Sequence, residues 1–384
     1  MRSPSSGGAF LPTADYDIRG SWQFDQVPTA GPASDRIATV RDLGGVLTPQ
    51  QFGAKGDGSA DDTVALHALR AAAALTSGVT IVLPRGIYAY TTSPNWCLPG
   101  VQMIGEGGAI LRHTGTGAAL RIEAGPAGMN GLLFRDLTIQ GNAQTTPGVS
   151  VATIYRSTFE RLRVQGCALT APAFQIAAAV LNEFSGLAVI PSDFKPAIGL
   201  LLADADCAAN TIINPEMEGV TGAGIALGAG AGQNVFIGGT SESNGIGVDL
   251  GFNASRNIFL GIDCEANAQQ DIRCAGSMNQ FLGVVAVSPI SLTLDAGAHS
   301  NHVGGGLYQS IAVQAGALGN GFVGVIYSFT AGGTFTDAGT GTVKLGVWNG
   351  WLGAPERPLL ATGAAHTVDD VIAALQTLGL VRQS

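Results

Sequence analysis

The chain has 384 residues, 46% of them hydrophobic and only 12% charged, with 56 glycines and a net charge of −9. An ordinary soluble domain carries about 25% charged residues, so much of this surface must be Gly, Ser, Thr, Asn and Ala. Only three lysines occur (Lys55, Lys195 and Lys344) and no basic run, which excludes a phosphate-gripping surface for nucleic acid, and no apolar run reaches the ~18 residues of a membrane span.

Residues 1–44 carry no repeat. They are rich in Ser, Gly and Pro around one aromatic cluster, Tyr16, Trp22 and Phe24. They read either as a flexible leader or as a segment that attaches the chain to a larger assembly. No apolar signal core is present, so the expected route to the outside is assembly into a virus-like particle. The five cysteines, Cys97, Cys167, Cys207, Cys264 and Cys274, are odd in number and lack metal spacing. Buried free thiols are expected, and neither a metal nor a cofactor.

Residues 49–90 read TPQQFGAKGDGSADDTVALHALRAAAALTSGVTIVLPRGIYAY. Ser59 or Asp61 can N-cap the Ala/Leu-rich helix that follows, and that helix would close the open end of a solenoid. Asp57, Asp61 and Asp62 read as turn and cap residues. VTIVLPRGIYAY then supplies the first strand and turn.

From about Asn130 to Val347 one phrase recurs: LLFRDLTIQG, STFERLRVQG, NEFSGLAVIP, NTIINPEMEG, NVFIGGTSES, NIFLGIDCEA, NQFLGVVAVS, NHVGGGLYQS and NGFVGVIYSF. Its third residue falls at Phe134, Phe159, Phe184, Ile212, Phe236, Phe259, Phe281, Val303 and Phe322, at spacings of 19 to 28 residues. Between the phrases lie alternating apolar strands followed by Gly turns, such as Ile246, Val248 and Leu250 before Gly251. A unit this short cannot bury its apolar face alone, whereas stacked units bury a continuous column. The pattern predicts an all-β fold over residues 45–347, a right-handed parallel β-helix with an internal aromatic ladder. The recurrent Asn that opens most phrases suits a turn, since it tolerates left-handed backbone and its amide can bond the next coil.

In residues 348–384, TVDDVIAALQTLGL predicts a short helix with a Thr367/Asp370 capping box. Val371, Ile372, Leu375 and Leu378 lie on one face, and Gly379 suits the C-cap. Such a helix either plugs the solenoid or associates in threes with copies of itself.

The pair FGAKGDGSADDTVAL and VTIVLPRGIYAY, with the coils that follow, resembles the pectate-lyase-like β-helix superfamily as found in phage tailspikes. The resemblance runs from Phe52 to Val347. It implies a scaffold shared by lyases, glycoside hydrolases, epimerases and spikes that only bind. It also implies a homotrimer that recognises capsular or O-antigen polysaccharide. No match to the catalytic motifs of pectate lyases or polygalacturonases is found.

Six residues after each ladder position stand Gln140, Gln165, Ile190, Glu218, Glu242, Glu265, Val287, Gln309 and Ser328. Two residues before the glutamates stand Glu216, Thr240 and Asp263. With coils ~4.8 Å apart, Glu216, Glu218, Glu242, Asp263 and Glu265 form one acidic wall. Crowded carboxylates raise at least one pKa, and a protonated acid beside an ionised one serves glycoside hydrolysis. Glu242, Glu265, Asp263 and Glu218 are therefore candidate catalytic residues, with Glu265 as acid and Glu242 as base or nucleophile. Glu216, Arg256, Arg273 and Tyr308 are candidate substrate contacts, with Trp96, Tyr155 and Tyr327 as further sugar-stacking aromatics. Two other readings of the wall stay open: glutamates that bond the next coil's backbone, and a Ca²⁺ site. His113, His299 and His302 read as structural or surface residues. The expected function is a spike of a phage or phage-like particle that binds surface polysaccharide and in one version cleaves it. The alternative is a stand-alone bacterial depolymerase.

Overall fold

The computed structural model describes residues 45–190, 192–327, 333–349 and 354–355. The leader 1–44, Ser328 and the helix expected from Thr367 lie outside the described residues. Within them the chain winds as a right-handed parallel β-helix. Three sheets run along its axis: sheet I with 13 strands, sheet II with 14 and sheet III with 10. Every pairing is parallel except that of Trp348–Asn349 with Ala354–Pro355. A representative coil passes through Ile258–Leu260 in sheet I, Asp263–Glu265 in sheet II and Gln270–Cys274 in sheet III.

The three-residue strands explain how the pattern folds. Successive side chains alternate between faces, so the middle residue turns inward and its neighbours turn out. In sheet I the inward row is Phe134, Phe159, Phe184, Ile212, Phe236, Phe259, Phe281, Val303 and Phe322, all at most 1% exposed and all in register. The rings of Phe134, Phe159 and Phe184 stack with centroids 5.8 and 4.9 Å apart. Those of Phe236, Phe259 and Phe281 stack at 4.6 and 5.3 Å. These are the separations at which offset aromatic pairs gain beyond simple burial.

Two corners set the coil's shape. Between sheets I and II only two residues intervene, and the first is left-handed in coil after coil: Asp136, Arg161, Gly186, Asn214, Gly238, Gly261, Gly283, Gly305 and Gly324. Glycine takes over this place toward the C-terminus because it adopts positive φ without a Cβ penalty. At the corner entering sheet I, the left-handed residue is the one before the recurrent Asn: Leu181, Ala209, Gln233, Arg256, Met278, Ser300 and Gly319. This corrects the expectation that the Asn itself takes that conformation.

The asparagines instead turn inward and form a ladder. Asn182, Asn210, Asn234, Asn257, Asn279, Asn301 and Asn320 are at most 2% exposed. Each Oδ1 from Asn210 onward accepts both the backbone N–H and the side-chain N–H of the preceding rung at about 3 Å. A buried amide is costly unless paired. Here the rungs satisfy one another, as the sequence reading of amide-to-coil bonding expects.

The helix α1, Thr63–Ala73, buries Ala65, Leu66, Leu69 and Ala73 at the N-terminal end of the coils. Its N-cap is Asp62, in place of the expected Ser59 or Asp61. The Asp62 carboxylate is occupied by the backbone N–H groups of Lys55 and Gly56. Asp61 accepts instead from the N–H of Thr63 at 2.9 Å, and Asp57 closes a tight turn onto Ser59 and Ala60. All five cysteines are buried free thiols. Burial pushes Cys97 and Cys207 up to about 11 and Cys167 and Cys274 up to about 12. No helix among the described residues is long and apolar enough to cross a membrane.

Candidate functional site

The outer face of sheet II collects the acidic side chains. Glu216 pairs in register with Thr240 and Thr240 with Asp263; Glu218 pairs with Glu242 and Glu242 with Glu265. The two columns are therefore side by side over three coils, as the spacing predicts. The inward residues between the columns, Met217, Ser241 and Cys264, are 0% exposed, so the wall is backed by packed core. Rigid strands, not loops, hold these carboxylates at fixed separations of ~4.8 Å along the axis.

The electrostatics single out the middle of the wall. Glu242 is held above the usual carboxylate range, first by partial burial and then by Glu218, Glu265 and Asp263, with a hydrogen bond to Glu218. Asp263 is also raised, by burial and then by Glu265. Burial and neighbouring like charge thus favour the protonated form of Glu242 and of Asp263 relative to an isolated carboxyl. Asp263 Oδ1 and Thr240 Oγ1, neighbours in register, are both buried and without a hydrogen-bond partner among the described residues. Among those residues no three His, Cys, Asp or Glu side chains are grouped to hold a metal ion, so the wall is a spread surface, not a convergent ligand cage.

Beneath the wall, the corner into sheet III is tied by Asp271, which is 0% exposed. Its carboxylate accepts from Asn267 Nδ2 at 2.8 Å, from the Ser288 N–H at 2.7 Å and from Ser288 Oγ at 2.6 Å. Sequence reading missed this anchor. The signal available was the Asn244, Asn267 and Ser288 series, a second short amide ladder in which each residue bonds the next coil.

Three proposed substrate contacts lie away from the wall. Arg273 is on sheet III, in a two-pronged pair with Asp249 at 2.9 and 2.6 Å. Arg256 is exposed, at the left-handed corner that enters sheet I. Both are close to Glu265 in sequence, but each coil wraps around the axis and carries them to other sides. Tyr308 belongs to sheet II but points into the core at 0% exposure, with its hydroxyl buried and its pKa raised by burial. Of the other aromatics, Trp96 and Tyr327 are buried and Tyr155 is half-buried. His113 is buried between Thr145 Oγ1 and the Thr91 carbonyl, while His299 is exposed and His302 half-buried, in keeping with structural or surface roles.

The loops leaving sheet II shape the approach. Below the wall they are long, at 141–148, 166–171 and 191–197; beside the wall they shrink to 219–222, 243–245 and 266–269. The longer loops thus precede the coils that carry the carboxylates. Phe194, in the third of them, is 43% exposed and was not among the aromatics singled out from sequence.

Residues 49–124 match the family described as rhamnogalacturonase A/epimerase, pectate lyase-like. No curated protein matches the chain. Among solved structures, a protein of Geobacillus virus E2, ORF18, superposes with a TM-score of 0.57 at 15% identity. The match covers 86% of this chain and 65% of that one, so this chain spans just under two thirds of its length. The A-module of the Azotobacter vinelandii mannuronan C-5 epimerase AlgE4 superposes with a TM-score of 0.51 at 17% identity, covering 78% of this chain and 96% of that one. The Dettilon tailspike protein gp208 covers 79% of this chain and 69% of its own at a TM-score of 0.41 and 16% identity. The first two of these structures share the fold of this chain. The matched segment 49–124 ends before the first carboxylate of the wall.

Proposed function

We propose, from the premise that the chain is a pectate-lyase-like right-handed β-helix, that it is a spike or fibre of a phage or phage-like particle. In this reading it binds host capsular polysaccharide along the outer face of sheet II. The observation that carries the reading is the in-register wall of Glu216, Glu218, Glu242, Asp263 and Glu265 on the strands of one sheet. A polymer with repeating hydroxyls finds acceptors there at a constant repeat. The fold is shared with a product of Geobacillus virus E2, which agrees with a particle-borne role at the virion surface. Attachment to the particle is assigned to residues 1–44.

Self-association as a homotrimer has support from sheet I. Its outer row reads Ile213, Ile237, Leu260, Leu282, Gly304, Val323 and Leu345 in unbroken register. Leu260 is 46% and Leu345 58% exposed. Contiguous exposed apolar surface of this kind marks an interaction face, and avidity across several copies strengthens weak sugar binding.

A second reading, that the wall also cleaves the glycan, is favoured by the raised Glu242 and Asp263. A carboxyl kept protonated donates to the leaving oxygen while an ionised neighbour acts as base or nucleophile. Neighbouring coils give the ~5 Å carboxyl separation of a retaining enzyme, and positions two coils apart the wider one of an inverting enzyme. In the test, host capsule is incubated with the protein while chain length and new reducing or unsaturated ends are followed. Cleavage that is lost in Glu242→Gln supports the hydrolase, binding with intact chains leaves a receptor-binding spike, and neither binding nor cleavage overturns both readings.

A further inference from the structure

The strip of sheet II just below the acidic wall differs from the wall in charge. Arg163 is exposed on the same outer column as Glu216, two coils below it through Ala188. That is ~10 Å along the axis at the coil spacing. Lys195 is exposed in the loop 191–197, which leaves sheet II one coil below Glu218. Neither cation has an ion pair or hydrogen bond among the described residues, whereas Arg112, Arg121, Arg161 and Arg273 are all engaged. Phe194 precedes Lys195 in this loop and lies over Gly166 of the coil below, three residues on from Arg163; its backbone is fixed by the bond from the Cys167 N–H to its carbonyl at 3.1 Å. Its half-open ring offers an apolar platform of the kind on which a sugar ring stacks.

Resting on the polysaccharide reading above, we infer that Arg163, Phe194 and Lys195 form a subsite for an acidic sugar unit. The substrate is then a polysaccharide in which each acidic unit is separated from the next by several neutral ones, rather than one charged at every unit. The reasoning is electrostatic. A polymer charged at every unit, laid along sheet II, would set its own carboxylates against the wall. Each such contact sets two like charges close together, a repulsion stronger at a protein surface than in bulk water. A wholly neutral polymer leaves the two cations without a role. A polymer whose acidic units are separated by several neutral ones satisfies both zones: an acid sits on the cations, and the neutral units after it reach the wall about two coils further on.

The test uses the full chain and a panel of purified bacterial capsular polysaccharides in three groups: neutral, one acid per repeat unit, and acid on every unit. Binding is measured at low and high salt, since exposed charge contacts are screened. The expected result is binding confined to the one-acid group, weakened at high salt. In the double variant Arg163→Gln/Lys195→Gln it falls at least tenfold with the melting temperature unchanged. Phe194→Ala weakens the same glycans. Binding confined to neutral or to uniformly charged polymers, or an unchanged affinity in the double variant, overturns this inference while leaving the polysaccharide reading intact. Binding to no member of the panel overturns both.

Discussion

The two halves of the solenoid share one interior and carry different exteriors. Inside, Phe159 below and Phe259 above stand in the same inward row of the same sheet, both at most 1% exposed. Outside, the lower coils of sheet I present Arg135, Glu160 and Ser185, with Arg161 bridging to Asp136 at 2.6 Å and to Glu160 at 3.4 Å. The upper coils present Ile237, Leu260, Val323 and Leu345. On sheet II the lower coils carry Arg112 and Arg163, the middle coils the acidic wall, and the upper coils Val285, Leu307 and Ile326. The interior row is constrained by stacking, so it repeats. The exterior rows are free of that constraint, and the places where they change character are where recognition is to be sought.

Four outcomes sharpen or break this contrast. The largest effect belongs to the shared interior: Phe159→Ala and Phe259→Ala should each cost about 3–5 kcal/mol, read by denaturant unfolding. A large cost in only one half would mean the interiors are not equivalent. Next comes the ladder. Asn257→Ala removes the Oδ1 that accepts two N–H groups of Asn234, leaving buried donors unpaired at about 1–3 kcal/mol each. Third, Leu260→Asp in the upper apolar row should shift the sedimentation of the protein toward monomer with the fold intact, whereas Ser185→Asp in the lower half should not. An unchanged sedimentation profile for Leu260→Asp would remove the support for self-association through sheet I.

The smallest effect concerns pH. Glu242 is raised in the folded chain above its ordinary value of 4.5, so the folded state favours its protonated form. That contribution is fully present below the unfolded value and is lost as pH rises through the folded one. Glu242→Gln should therefore be at least as stable as the parent at neutral pH, and the gap should close as pH falls below about 4, near the unfolded glutamate range. A variant less stable than the parent at neutral pH would mean that the Glu242 carboxylate is held by favourable bonds, as in a structural role.

What was legible in the sequence was what repeats. The Phe and Asn positions, nine of the 13 strands of sheet I and the stacking of Glu218 on Glu242 on Glu265 all follow from one spacing. Tyr308 was legible too and was misread. It stands five residues after Val303, the same inward place as Met217, Ser241 and Cys264 in their coils, so the register already placed it in the core. Arg256 and Arg273 lie off the wall for a different reason: nearness along the chain says little when the next few residues turn corners. Phe194, Lys195 and the long loops below the wall have no periodic position, and their relation to sheet II emerges only when the coils are stacked. The crowding that raises a carboxylate of the wall was legible, but the first cause of the Glu242 shift is its partial burial, which only the stacked coils create.

The central claim is that polysaccharide lies on the outer face of sheet II. It is tested most directly by the affinity for host capsular polysaccharide of two bulky variants: Thr240→Trp, in the middle of the wall, and Ala312→Trp, half-buried on sheet III. The account predicts that Thr240→Trp lowers affinity at least tenfold while Ala312→Trp leaves it unchanged. Unchanged binding by Thr240→Trp, or a loss confined to Ala312→Trp, would contradict it.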